Sequence, residues 1–233
     1  MRKWGALLVS GLVLAACASL SAGEADKQYE LSLASGAGLA MAWHGGPGVE
    51  NAIFVQRLDA AAKPKSAPVR LTDGTKDAYE PDLQLIGGDL LVVWYEKDKT
   101  AGSTRAFLAR LNAAGGIVWK SPLDAGGGNA RNAVVRVSGD KIYAAWIETG
   151  ANGPEVFAET LSAQGDAAGK ALRVGAANKD TWNLNATTDA GGVLYLAYDA
   201  QLGTKGHELQ VVAVDGSTVK SVTVSADDGR ASL

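Results

Sequence analysis

Four times along this chain a short apolar run ends in a large aromatic residue. The runs are Leu39-Ala-Met-Ala-Trp43, Leu90-Leu-Val-Val-Trp94, Ile142-Tyr-Ala-Ala-Trp146 and Leu194-Tyr-Leu-Ala-Tyr198, and the aromatics lie 51, 52 and 52 residues apart. A period of that length marks a tandem architecture, in which one supersecondary unit cannot bury its own apolar face and needs its neighbours to do so. Aligned on the aromatics, three further segments recur, so that each repeat carries four short β-rich stretches, lettered A to D. The A segments begin at Tyr29, Tyr79, Arg131 and Trp182, and the aromatic runs are B. The C segments are Ile53–Leu58, Ala106–Leu111, Val156–Leu161 and Leu209–Val214. The D segments are Pro68–Leu71, Ile117–Leu123, Ala171–Val174 and Val219–Val224. Gly, Asn and Asp separate them, as hairpins require.

Four strands in about 50 residues, repeated, predict an all-β chain: a β-propeller of four-stranded antiparallel blades. The B segments sharpen this. A half-exposed strand alternates polar and apolar residues, whereas these are apolar almost throughout, as expected of a sheet pressed between two others. Small residues such as Ala40, Ala42, Ala144, Ala145 and Ala197 allow close approach of those sheets. A sandwich or solenoid would also bury strands, but a sandwich does not call for so regular a period. The blades are expected at about 29–75, 76–127, 128–178 and 179–227, within a propeller spanning 29–233. The C-terminal stretch from Ser225-Ala-Asp-Asp-Gly229 to Leu233 resembles the Leu71-Thr-Asp-Gly74 lead-in to an A segment. The chain therefore reads as a truncated part of a larger ring, which the resemblance of its repeats to a known family puts at six blades; the alternative is that Arg230 to Leu233 is only a frayed terminus after four blades.

The N-terminus carries a different message. Met1-Arg2-Lys3 is cationic, and Gly5–Ala16 is apolar but too short to span a bilayer. It ends in Leu14-Ala15-Ala16-Cys17, which resembles a bacterial lipobox, and Cys17 is the single cysteine of the chain. The resemblance implies a lipoprotein signal peptide over 1–16, lipidation of Cys17, and a tether over 17–28. It also implies a place in the bacterial cell envelope, with Ala18 pointing to the outer membrane and the periplasmic or surface face left open. An ordinary secretory signal cut at Ala16-Cys17-Ala18 is the alternative. The mature chain is mildly acidic, since the full sequence has a formal charge of −3. That leaves no nucleic-acid footprint.

The repeats resemble the sialidase-like (BNR-type) β-propellers of bacterial secreted proteins. The likeness spans 29–225 and rests on the A opening, the aromatic end of B and an Arg-Leu-Asp type of C segment. The family's Asp-box, Ser-x-Asp-x-Gly-x-Thr-Trp, is approached by Ser225-Ala-Asp227-Asp-Gly229-Arg-Ala231-Ser232, which lacks the Thr and Trp and reads as a turn. Sialidase chemistry would need three converging arginines, a Tyr nucleophile with a Glu base, and an acidic donor. Only Arg131 opens an A segment; Arg57 and Arg110 share a C position and read as structural.

Propellers bind ligands around their axis. If A is the innermost strand, a ligand would meet its first two positions: Tyr29-Glu30, Tyr79-Glu80, Arg131-Asn132 and Trp182-Asn183. Tyr79, Glu80, Arg131, Asn132, Trp182 and Asn183 are thus the ligand-binding candidates. Their mix of rings, amides and charge suits a sugar or peptide, and Tyr79-Glu80 is the best pair for general-base chemistry. Glu96, Glu148 and Asp199 follow the B aromatics and read as solvated loop acids. His44 and His207 are isolated, so neither a metal nor any cofactor is implied, and Gly126-Gly-Gly128 reads as a D-to-A connection. The functional expectation is a lipid-anchored, non-catalytic propeller that binds a protein or glycan; the alternative is a sialidase-like glycoside hydrolase of the envelope.

Overall fold

The computed structural model describes residues 28–45, 51–150, 153–176, 183–202 and 206–227. Cys17 and Trp182 lie outside that set. The described residues form sixteen strands: β1 (Gln28–Ser35), β2 (Leu39–Gly45), β3 (Ala52–Leu58), β4 (Val69–Arg70), β5 (Asp77–Ile86), β6 (Asp89–Lys97), β7 (Thr104–Leu111), β8 (Ile117–Leu123), β9 (Ala130–Ser138), β10 (Lys141–Gly150), β11 (Gly153–Leu161), β12 (Leu172–Ala176), β13 (Leu184–Thr188), β14 (Leu194–Leu202), β15 (Gly206–Asp215) and β16 (Thr218–Asp227). They pair in sequence order into four antiparallel four-stranded sheets, one per repeat. The first strands β1, β5, β9 and β13 adjoin one another in turn, so segment A is innermost.

Most segment boundaries fall where the repeat placed them, with two differences. Segment D of blade 1 pairs only at Val69–Arg70, because the Thr72 hydroxyl accepts the Ile53 N–H (3.1 Å) that a longer β4 would have taken. Ser225–Asp227, read as the approach to a fifth A segment, instead continue β16, opposite Leu209, Glu208 and His207 of β15.

The blades are held face to face. In the first three sheets the aromatic end of B stacks on a Phe of C, at centroid distances of 5.7 Å for Trp43–Phe54, 6.0 Å for Trp94–Phe107 and 6.1 Å for Trp146–Phe157, while in the fourth Tyr198 stands opposite Gln210. Leu90, Val92 and Trp94 pack on Ala40, Ala42, Ile53 and Val55 of blade 1. Leu91 and Val93, on the opposite face of the same strand, pack on Ile142, Ala144 and Trp146 of blade 3. Tyr143, Ala145 and Ile147 in turn meet Leu194, Leu196 and Tyr198 of blade 4. Strands β6 and β10 are therefore apolar on both faces because both faces are covered, and truncating either fully buried Trp to Ala would cost about 3–5 kcal/mol. Arg57 Nη2 donates to Gly88 O (2.7 Å) and Arg110 Nη1 to Ala163 O (2.7 Å), each reaching the next blade. The shared C-segment arginines are inter-blade ties.

Candidate functional site

The inner strands are not regular where they near the axis. Pairing of β1 with β2 slips between Tyr29 and Ser32, and that of β5 with β6 slips between Tyr79 and Asp82. The partner of β9 slips between Ala145 and Ile147, opposite Arg131–Val134. Each slip holds a residue in the left-handed region: Glu30 at φ 49°, Glu80 at φ 51° and Asn132 at φ 47°. These are the same position in three successive repeats. A β-bulge adds a residue and re-aims side chains, and a left-handed non-glycine residue costs of order 1–3 kcal/mol. The fold maintains that cost three times at one place.

The consequence is a division of labour within the pairs Tyr79-Glu80 and Arg131-Asn132. The second positions turn to the axis. Glu80, Asn132 and Asn183 line an axial cavity of about 570 Å³, together with Glu30, Asp82 and Arg136. Of the first positions, Tyr79 and Arg131 turn away from it. Tyr79 packs between His44 (5.3 Å, edge-on) and Tyr95 (5.4 Å), while Arg131 lines a separate cavity of about 290 Å³ between blades 2 and 3.

The axial residues are chained from blade to blade. Glu30 Oε2 accepts the Glu80 N–H (3.0 Å) and lies 3.0 Å from His44 Nδ1. Glu80 Oε2 accepts from Asn132 Nδ2 (2.6 Å). Deeper along the strands, Asp82 accepts from Ser32 Oγ (3.0 Å), Val135 N (3.0 Å) and Arg136 Nη1 (2.5 Å), and Arg136 Nε donates to Ala186 O (2.6 Å). All four blades contribute to these two belts. Among the described residues, the buried Asn132 Oδ1 has no hydrogen-bond partner. An acceptor in that condition needs a donor from whatever occupies the cavity.

Electrostatics single out Glu80. Burial, and then the charge of Glu30, push its carboxyl up to about 7 against the pull of Asn132 and Arg131. The same burial and carboxylates raise the Tyr95 phenol. The buried His44 is lowered, desolvation outweighing the charge of Glu30. With Arg136 matched to Asp82, the cavity is rich in acceptors and carries excess negative charge.

Sequence reasoning missed Asp82, Arg136 and Ser32. The available signal was polar residues inside otherwise apolar A segments. It also misread the acids that follow the B aromatics. Glu148 is 1% exposed and accepts from Trp146 Nε1 (2.8 Å) and from the backbone N–H groups of Ala125 (2.9 Å), Gly127 (2.5 Å) and Gly128 (3.0 Å). Glu96 accepts from Trp94 Nε1 (3.0 Å) and Lys120 (2.9 Å), and Asp199 Oδ1 accepts the Asn183 N–H (3.2 Å). They are structural clamps, and the triglycine run is the loop wrapped around one of them. Among the described residues, no three His, Cys, Asp or Glu side chains group as a metal would need.

No protein-family model and no curated protein matches the chain. Solved structures do. A subtype N10 neuraminidase-like protein of a little yellow-shouldered bat strain aligns with a TM-score of 0.60 at 10% identity, over 86% of this chain and 59% of that one. The chain has a β-propeller fold. An α-L-arabinofuranosidase from Lactobacillus brevis aligns at 0.52 and 14% identity, over 84% of this propeller and 73% of the enzyme. A GH43_1 enzyme from Xanthomonas citri, complexed with xylotriose, aligns at 0.53 and 13% identity, over 90% and 78% of the two chains. Likeness at this level of identity concerns architecture alone.

Proposed function

We propose that this propeller binds a glycan in its axial cavity without cleaving it, and that it does so in the bacterial cell envelope, held by lipid on Cys17. The observation that carries the binding reading is the thrice-repeated left-handed position, which turns Glu30, Glu80 and Asn132 onto one cavity at an energetic cost to the fold. Carboxylates, amides and the unpartnered Asn132 Oδ1 are acceptors, and a polyol is a dense array of donors. The excess of acids over Arg136 favours a neutral sugar at the axis over an acidic one. It also removes support from sialidase-type chemistry, because Arg57 and Arg110 are spent between blades and Arg131 faces another cavity. Resemblance to BNR-type repeats is kept here as a reading of blade pattern. The lipobox-like run supports anchoring at the outer membrane. A Cys17→Ala variant should move from the membrane to the soluble envelope fraction; unchanged fractionation would refute the anchor.

One observation favours hydrolysis as a second reading. A glycosidase needs one protonated and one ionised carboxyl, and Glu80 at about 7 beside Glu30 has that character. Calorimetry with xylotriose and a panel of neutral oligosaccharides, with the sugars analysed afterwards, separates the readings. Intact sugar with saturable heat, lost in Asn132→Ala, supports binding. Shortened sugar, abolished by Glu80→Gln, supports hydrolysis, and no heat across the panel would discard both in favour of a protein partner.

A further inference from the structure

The boundary between blades 3 and 4 lacks two side chains that fill the same place at the boundaries before it. Between blades 1 and 2, Arg57 reaches Gly88 O (2.7 Å), and Val69 lies against Gly115. Between blades 2 and 3, Arg110 Nη1 and Trp119 Nε1 both donate to Ala163 O (2.7 and 3.3 Å), and the indole lies against Gly165. The residue in register with Arg57 and Arg110 is Thr160, which stands opposite Tyr143 as they stand opposite Ala40 and Leu91. Its side chain is too short to cross to blade 4. The turn it would reach is shorter too. Two residues, Gly216-Ser217, separate β15 from β16, where five, 112–116, separate β7 from β8.

What remains is a cavity of about 450 Å³, within the range of small-ligand pockets. Ala158 and Leu172 of blade 3 and Leu194 and Val214 of blade 4 give it an apolar lining. Tyr143 forms a further wall, fixed by its hydroxyl, which donates to Gly192 O (2.8 Å) and so stands in for the missing arginine tie. Charges of both signs line it, Lys141 and Lys170 with Glu159 and Asp215, so it selects an apolar, planar guest over an ion. Lysine beside a ring is already used in this chain, with Lys120 Nζ 4.0 Å from the Phe107 centroid, and the exposed Lys141 and Lys170 offer an aromatic guest the same attraction.

We propose that this cavity is a docking pocket for a tryptophan side chain of a protein partner, which takes the place that Trp119 fills one boundary earlier. The chain supplies the template for the fit. Between blades 2 and 3 the same framework of C strand and neighbouring turn accepts an indole, with the ring on a turn glycine and the N–H on a turn carbonyl. Tryptophan is also the side chain that most often anchors a protein interface by filling such a gap. The pocket shares no lining residue with the axial cavity, so it stands whether or not a sugar binds at the axis.

The test is amide NMR of the full chain titrated with the capped tripeptide acetyl-Gly-Trp-Gly-amide and, separately, with acetyl-Gly-Ala-Gly-amide. The tryptophan peptide should move the Thr160, Gly192 and Gly216 signals saturably, and the alanine peptide should not. Two variants rebuild the missing filling from within. Gly169→Trp adds an indole in the stretch leading to β12, where a Cβ meets nothing within 4 Å, and should abolish the response. Thr160→Arg restores the arginine of the other two boundaries and should weaken the response at least about tenfold. It keeps the test valid where Gly169→Trp fails to fold. No shift from the tryptophan peptide, equal shifts from the two peptides, or a response unchanged by these variants would overturn the pocket. So would equal shifts at Ala163 and Gly165, which report the boundary that Trp119 already fills. Saturable binding of free indole with no response to the tryptophan peptide would overturn the protein partner in favour of a small aromatic molecule.

Discussion

A carboxyl held at about 7 inside a wall of other acids stays protonated in the folded state over a range where the unfolded chain has already released its proton. For Glu80 the window runs from its ordinary 4.5 to about 7. The native state binds more protons there, so stability is full below the window and falls as pH rises through it. His44 works in the opposite sense: its lowered value means stability is lost as pH falls through the unfolded histidine range. Comparison with a variant therefore isolates Glu80. Glu80→Gln should flatten the decline of the urea midpoint between about pH 4.5 and 7 and leave the protein more stable than wild type at pH 8. A parallel decline in both proteins would show that the carboxyl is not raised. Glu148 makes the contrasting case of an acid whose charge is matched by donors. Replacing it with Ala leaves one indole and three backbone N–H groups without their acceptor in a buried site. An unsatisfied buried donor costs about 1–3 kcal/mol, so Glu148→Ala should lower stability by about 3 kcal/mol or more in urea unfolding. A loss below about 1 kcal/mol would mean that water reaches the loop.

Between elements, the packing of blades 2 and 3 repeats with the period. The turns after β7 and β11 lean on the outer strand of the blade before them, and glycine is the residue that allows this. A Cβ on Gly165 would sit 2.7 Å from the Trp119 ring, and one on Gly115 would sit 2.8 Å from Val69 Cγ2. Both glycines also hold positive φ, 88° and 87°. Gly165→Ala should therefore destabilise by about 2 kcal/mol or more, from overpacking and backbone strain together. Adding Trp119→Ala should recover the overpacking share and leave the strain. Strictly additive losses in the double variant would show that the ring and turn do not touch. The same register explains what could be read in advance. Trp94, Trp146 and Tyr198 recur because each presents its ring to the blade before it, Trp43 packs within its own sheet, and sequence records a repeated demand. That segment A is innermost was only a condition of the sequence reading, and the contacts among β1, β5, β9 and β13 supply it. The split between Tyr79 and Glu80 was not legible, because it depends on a bulge, and the left-handed Glu80 has no glycine to announce it. Glu148 was misread because its partners Ala125, Gly127 and Gly128 come from the connection leaving the preceding blade, twenty or more residues upstream.

At the scale of the whole molecule, the four sheets are not equivalent. Tyr143 and Ala145 on blade 3 are buried (7% and 1% exposed) under blade 4. Their counterparts one period on, Tyr195 and Ala197, are only half-buried, as are Val211 and Ala213 beside them. Val222 and Val224 on β16 are 64% and 57% exposed. Strand β14 accordingly alternates between buried and half-buried residues where β6 and β10 do not. The lower rim of the boundary between blades 3 and 4 is also open. A cavity of about 450 Å³ lies there, lined by Tyr143, Leu172 and Gly216 among others, and a Cβ on Gly216 would meet nothing within 4 Å. Gly165 and Gly115, by contrast, are filled against Trp119 and Val69. Local opening is governed by how much apolar contact must be broken. Blade 4 has one packed face and a gap along it, whereas blade 2 has two packed faces. Hydrogen exchange read by mass spectrometry should therefore find the amides of β14 and β15 exchanging at least about tenfold faster than those of β6 and β10, a gap of about 1.4 kcal/mol in opening free energy. An oligosaccharide at the axis would touch all four inner strands, so saturating ligand should narrow that gap by protecting blade 4 most. Uniform protection across the four blades before ligand is added would mean that the face of blade 4 is covered in solution and that the sheets open as one unit.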